Sequence, residues 1–394
     1  MPPLQRARIN PILIRWARES ILMSLDQAAS RIHVPPARIR SWESGEAQPT
    51  VRQAQAAASA YRRPFATFFL SEPPADDPPP PDFRRLPGGG RPTTSPELAV
   101  EIRRAHFRRD AALGLLRSLE LDAPDPGSIA GEIERAEEDA VEVRQRLGIT
   151  IQPQPRWSTQ YEALNAWKDA IEISGVLVFH FSGVEVAEAR GFSIASRPLP
   201  AVALNGEDAP YGRIFTLMHE FAHVLAGEAG NCNLVDYFEN DQGAAIERYC
   251  NAVAAAVLMP RTDFLEHPIV SRHQNLTDWS DLELTALSTA YRVSREAALR
   301  RLLTLGRTTR DFYRSKRREL VPLDVPPSGG GFLTWPQRAI RSSGHLFGGL
   351  VLDAYHREAI TSADLTEYFG VRIKHLPEIE RRLEGRNMLT GGRP

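Results

Sequence analysis

Ile214-Phe-Thr-Leu-Met-His219-Glu220-Phe-Ala-His223-Val-Leu-Ala-Gly227 sets two histidines four residues apart in an apolar run. Ile214, Leu217, Met218, Phe221 and Leu225 recur at three- and four-residue steps, the period of a helix with one apolar stripe, and Gly227 supplies its stop. With 3.6 residues per turn, His219 and His223 project from the same side one turn apart, where two imidazoles reach a single tetrahedral zinc ion. Glu220, next to the first histidine, is placed to take a proton from water whose pKa zinc lowers from about 15.7 to about 7. The alternative is an amphipathic surface helix that holds the pair by accident, a rare coincidence in a chain with 10 histidines.

Two histidines leave a catalytic site incomplete, so a third protein ligand is expected from a second helix. Glu247 is the choice. It lies in Ala244-Ala-Ile-Glu247-Arg-Tyr-Cys-Asn251-Ala-Val-Ala-Ala-Ala-Val-Leu-Met259-Pro260, off the apolar stripe of Ile246, Cys250, Val253 and Val257, in a helix ended by Pro260. Asp236, Glu239 and Asp241 are reserve candidates in a Gly/Asn-rich loop less suited to rigid geometry. Cys250, on the stripe, reads as a packed thiol rather than a ligand. His180 and Tyr249 receive no catalytic role.

Around this pair the pattern gives an α+β domain. Tyr161 to Ser174 has helical spacing; Gly175 to Phe181, Gly191 to Ala195 and Ala201 to Leu204 are short apolar runs that read as strands of a small sheet. Upstream, Glu97 to Glu120 and Ser128 to Leu147 are Arg/Glu-rich and read as exposed helices. The Pro/Gly-rich stretch 71–96 is a spacer, and a second one, Val321 to Gly331, sets off a helical C-terminal piece. The expected organisation is therefore a helical bundle at 1–70, the spacer at 71–96, a helical connector at 97–150, a zincin-like domain at 151–320, and a helical region at 332–394. In that last region His345, His356 and His375 lack ligand spacing and receive no chemistry.

RGFSIA, PAVALNG, FTLMHEFAHVLAG and ERYCNAVAAAVLMP, in that order, resemble the ImmA/IrrE family of metallopeptidases over roughly residues 155–310. The resemblance implies that His219, His223 and Glu247 bind zinc, that Glu220 is the base, and that the target is a DNA-bound repressor. It also makes 201–205 an edge strand that pairs with an extended substrate.

Residues 10–70 read as short helices joined by short loops, and Ile39-Arg-Ser-Trp42-Glu43-Ser-Gly45-Glu-Ala-Gln-Pro49-Thr50 resembles the Xre-type helix-turn-helix, with Ala28, Val34, Ile39 and Trp42 at its core positions. In such a fold the second helix enters the major groove of double-stranded DNA, which makes Arg38, Arg40 and Ser41 the expected operator contacts. Pro35-Pro36-Ala37 at the groove-facing start offers no bidentate base-reading donor, so specificity falls to Arg38, Ser41 or DNA shape. The alternative for this bundle is a module that holds a protein partner or forms a homodimer. A second helix-turn-helix candidate lies at 282–310, where Leu287-Ser-Thr-Ala-Tyr-Arg-Val-Ser294 precedes a basic stretch.

Charge is uneven: residues 1–70 carry ten arginines and no lysine against four acids, a net of +6. No apolar run is long enough to span a membrane. Two cysteines and the lack of a secretory-type leader pattern at the start make a reducing, cytoplasmic setting the expectation. Two functions fit. One is a DNA-binding transcriptional regulator whose zinc endopeptidase cleaves a repressor or partner. The other is an antitoxin that represses its own operon while the peptidase-like domain grips a toxin or senses a signal.

Overall fold

The computed structural model describes residues 5–74, 94–150, 157–227, 231–232, 242–273, 278–320 and 333–384, with only the backbone for 231–232 and 242–244. Most of the first spacer, all of the second, and Asp236, Glu239 and Asp241 lie outside these residues. The chain divides into two compact units, Met1–Arg104 and Ala105–Pro394.

In the first unit, α1 (Pro11–Glu19), α2 (Leu25–Ile32), α3 (Pro36–Glu43) and α4 (Val51–Ala60) precede a 3-10 turn at Phe65–Phe69. Local chemistry sets the helix starts. Ser24 and Thr50 form capping boxes with Gln27 and Gln53, and Pro11 and Pro36 occupy first-turn positions where a missing N–H does no harm. Ile14, Ala28, Ile39, Trp42, Ala54, Ala57, Tyr61 and Phe68 make the core, which Ala99 and Val100 of α5 (Pro96–Ser118) enter. Arg18 ties α1 to α3 through a buried bidentate pair with Glu43, at 2.7 and 2.9 Å.

The second unit continues with α6 (Ala136–Arg146), α7 (Gln160–Ile173), β1 (Leu177–Phe181), β2 (Gly191–Ile194), β3 (Ala201–Asn205), α8 (Pro210–Ala226), β4 (Asn231–Cys232) and α9 (Gln242–Leu258). There follow α10 (Arg261–Glu266), α11 (Pro268–Arg272), α12 (Asp281–Tyr291), α13 (Arg295–Thr304), α14 (Arg310–Leu320), α15 (Trp335–Ser343), α16 (His345–His356), α17 (Ser362–Phe369) and α18 (Leu376–Leu383). The α+β class holds.

The sheet order is β1-β3-β2-β4, with β1 parallel to β3 and the other pairs antiparallel. This overturns the edge assignment for 201–205. Both hydrogen-bonding sides of β3 are taken, by Leu177–Phe181 and by Gly191–Ile194, so among the described residues the edges are β1 and β4. Val178, Val202 and Leu204 join the core formed with α7 and α8, while Phe179 of β1 meets Phe347 of α16 on the other side. Strands covered on both faces read as continuous apolar runs, which these three are.

The connector also differs from its expectation as an exposed helix. Ala136, Ala140, Val143 and Leu147 are buried in the same core as α8 and α9. Their spacing is a helical stripe, but one built mostly of alanine, which the surrounding Arg and Glu residues mask in the sequence. No helix among the described residues is long and apolar enough to cross a membrane.

Candidate metal centre and nucleic-acid interface

α8 starts with Pro210 in its first turn, ends on Gly227 in the left-handed conformation, and is buried from Arg213 through Leu225. A helix enclosed on all sides gives its polar groups fixed surroundings. His219 and His223 stand one turn apart, rings edge-on at 66°, with their Nε2 atoms 3.1 Å from each other. Glu247 of α9 completes the set: its Oε2 lies 3.2 Å from His219 Nε2 and its Oε1 lies 3.2 Å from His223 Nε2. The structure thus brings these three expected residues together.

The far end of α9 is held by two buried arginines. Arg301 of α13 donates from Nε to the Met259 carbonyl at 2.9 Å and binds Glu137 of α6 through both terminal nitrogens, at 2.7 and 2.9 Å. Arg144 of α6 donates to the Val257 carbonyl. Glu247 is therefore carried by a helix braced from two sides.

Whether a metal suits this arrangement is a matter of spacing and donor type. Two ligand atoms about 2.05 Å from one ion at a tetrahedral angle stand about 3.3 Å apart, close to the separations seen here. Two imidazole nitrogens and a carboxylate are a donor set of catalytic zinc that leaves a fourth position open. Neither His219 Nδ1 nor His223 Nδ1 makes a hydrogen bond of ordinary geometry, and it is the Nε2 atoms that meet Glu247. The residues fit.

Glu220 is fully buried, and neither of its oxygens makes a hydrogen bond of ordinary geometry. One residue further round the helix than His219, it faces β2, where the Ser193 side chain is a polar neighbour favouring its charge. Burial dominates and raises its pKa above the usual carboxyl range. Burial pushes Glu247 the same way, but the two imidazoles outweigh it and hold this carboxyl well below that range. For His223, burial opposes charging, yet the Cys250 thiol and the Glu247 carboxylate together raise its pKa.

Cys250 is buried and outside the set of converging ligand atoms. Tyr249 donates its hydroxyl to Asp139 of α6. His345, without ligand spacing in the sequence, meets Asp169 at 2.7 Å across the fold, beside Glu172. Glu172 accepts the backbone N–H groups of His345 and Leu346, which makes it a cap for α16. Sequence reasoning missed Gly191: a Cβ there would lie 2.6 Å from Thr216 Cγ2 and 2.9 Å from the Ala203 carbonyl, so its lack of a side chain lets α8 approach β2. A glycine inside a strand pattern was the available signal.

Residues 171–303 match the family model of the IrrE N-terminal-like domain, a peptidase family. The second unit carries an IrrE-like peptidase domain. Its match runs from the end of α7 into α13 and includes both histidines, Glu220 and Glu247. Residues 14–68 match a helix-turn-helix model, so a DNA-binding type of domain precedes the IrrE-like one. No curated protein matches the chain.

Within the helix-turn-helix domain, α3 exposes Arg38 and Arg40, and neither makes an ion pair with a described residue. Ser41 is half-buried and donates to the Arg38 carbonyl at 2.8 Å. The buried residues of α3, Ile39, Trp42 and Glu43, face the bundle, so Arg38 and Arg40 lie on its outer side.

Proposed function

We propose that this protein is a DNA-binding transcriptional regulator with a zinc-dependent endopeptidase domain that cleaves a repressor or partner protein. The observation that carries this reading is the convergence of His219, His223 and Glu247 within 3.2 Å beside the buried carboxyl of Glu220. His219, His223 and Glu247 hold the ion, which when bound supplies Lewis acidity at the scissile carbonyl and to water. Glu220 accepts a proton from the attacking water and delivers it to the leaving amine nitrogen as the C–N bond breaks, leaving a carboxylate and an amine. Its buried position favours the proton-holding form midway through that transfer. Arg38 and Arg40 meet phosphates of operator DNA and Ser41 a base edge or phosphate, which concentrates the peptidase where a DNA-bound target sits.

The test compares wild type with Glu220→Gln for cleavage of candidate partners encoded beside the gene. Glutamine cannot accept the proton, so cleavage should fall by about 10²–10⁴-fold while bound zinc is retained. Equal cleavage by the variant, or its full complementation of every cellular phenotype, would remove proteolysis from the function and leave a binding scaffold.

A further inference from the structure

The C-terminal helices lie beyond residue 303, where the peptidase match ends. Their local chemistry repeats that of the N-terminal unit position for position. α2 opens on the Ser24–Gln27 capping box and closes on His33 in the left-handed conformation. α17 opens on a Thr361–Asp364 capping box and closes on left-handed Gly370, with the same spacing from cap to turn. A valine follows each turn, Val34 and Val371. At that same offset buried Ala28, Ile32, Ile39 and Trp42 correspond to buried Leu365, Phe369, Leu376 and Ile379. A capped helix, a left-handed turn and a second helix docked by these positions is the helix-turn-helix.

Such a turn alone does not set how open the second helix is, as α12 and α13 show. They share it, with left-handed Arg292 followed by Val293, but α13 is enclosed: Leu299 and Leu302 are fully buried, and Thr304 is the one exposed residue of the helix. Tyr313 of α14 reaches across to Glu296. Arg295, Glu296 and Arg300 are half-buried, so in the pair expected at 282–310 the second helix is less open than α3.

α18 and the 3-10 turn leading into it, Ile373–His375, are open on their outer side. Arg372, Lys374 and Arg381 are exposed there, while the acids of the helix are engaged, Glu378 with Arg382 and Glu380 with His356. Arg372 and Lys374 make no ion pair with a described residue. At the offset that pairs Ser24 with Thr361 they stand where the N-terminal module has Pro35 and Ala37, which offer no base-reading donor. We propose that α17 and α18 form a second DNA-reading helix-turn-helix, with Arg372 and Lys374 contacting duplex phosphates and major-groove edges. Glu367 lines the same concavity as Arg372 and opposes the polyanion.

The test is fluorescence anisotropy of the full chain with a labelled mixed-sequence duplex of about 30 base pairs between about 50 and 200 mM salt. Arg372→Ala with Lys374→Ala should flatten the slope of log K against log salt by about 1.8, two contacts at about 0.9 each. Glu367→Gln should tighten binding, and the charge-keeping pair Arg372→Lys with Lys374→Arg should preserve the slope. The same measurements in an Arg38→Ala, Arg40→Ala background separate the two modules, since the C-terminal effect must persist there. An unchanged slope in both backgrounds, with circular dichroism showing intact helices, overturns the proposal and leaves the face to a protein partner. So does a wild-type chain that binds no duplex at all.

Discussion

Glu247 joins two imidazoles at hydrogen-bond distance, and its carboxylate supplies the negative charge that their neutral nitrogen donors lack toward a divalent ion. Glu247→Gln keeps the shape but removes that charge, so zinc should bind at least about a hundredfold more weakly, read by competition with a chromophoric chelator. Gly191 makes a different kind of prediction. Gly191→Ala places a methyl group into Thr216 and the Ala203 carbonyl, an overpacking expected to cost about 1–3 kcal/mol in thermal or denaturant unfolding. The two residues were unequally legible. The four-residue step of His219 and His223 follows from helical period alone, and Glu247 from the need for a further ligand on a neighbouring helix. The demand on Gly191 arises from a helix that begins 19 residues later and crosses its strand, a contact that no local pattern encodes.

The strands and helices of the IrrE-like domain were largely readable because short apolar runs and the 3.6-residue period are local signals. What failed was placement. β3 was expected at an edge, yet it lies inside because β1 pairs with it in parallel across the chain of β2, and pairing order is not written in a strand's own residues. α6 was expected in solvent because Arg and Glu dominate it, whereas its alanine stripe packs against α9 and its Arg144 braces that helix. Arg301 acts on the same end of α9, so Arg301→Met should leave the Met259 carbonyl unpaired and Glu137 without its partner, lowering stability by about 2–3 kcal/mol. α13 and α14 carry a pH signature. Burial would raise the Glu296 carboxyl, but Arg300, the Tyr313 hydroxyl and Arg317 outweigh it and hold its pKa below the ordinary range. A carboxyl depressed in the folded state contributes stability above its unfolded pKa of about 4.3 and loses it as pH falls further. Unfolding measured from pH 6 downward should therefore steepen below about pH 4.3, and Glu296→Gln should be less stable at neutral pH and flatter in acid.

Across the chain, the Pro/Gly-rich stretches suggest three parts, whereas the chain forms two compact units: the helices of 332–394 share the second unit with the strands, and Phe347 of α16 packs on Phe179 of β1. The order of a helix-turn-helix domain followed by an IrrE-like peptidase domain was legible because each rests on contiguous motifs. The C-terminal helices were opaque because the resemblance between α17–α18 and α2–α3 resides in caps, turn and buried positions, with few shared residue types. Everything enzymatic in this account depends on His219, His223 and Glu247 sharing one ion. Elemental analysis by mass spectrometry of the full chain, purified without chelators, decides it. Wild type and Glu220→Gln should each carry about one zinc per chain, and His219→Ala with His223→Ala almost none. Metal-free wild type, or equal zinc in all three proteins, would contradict it.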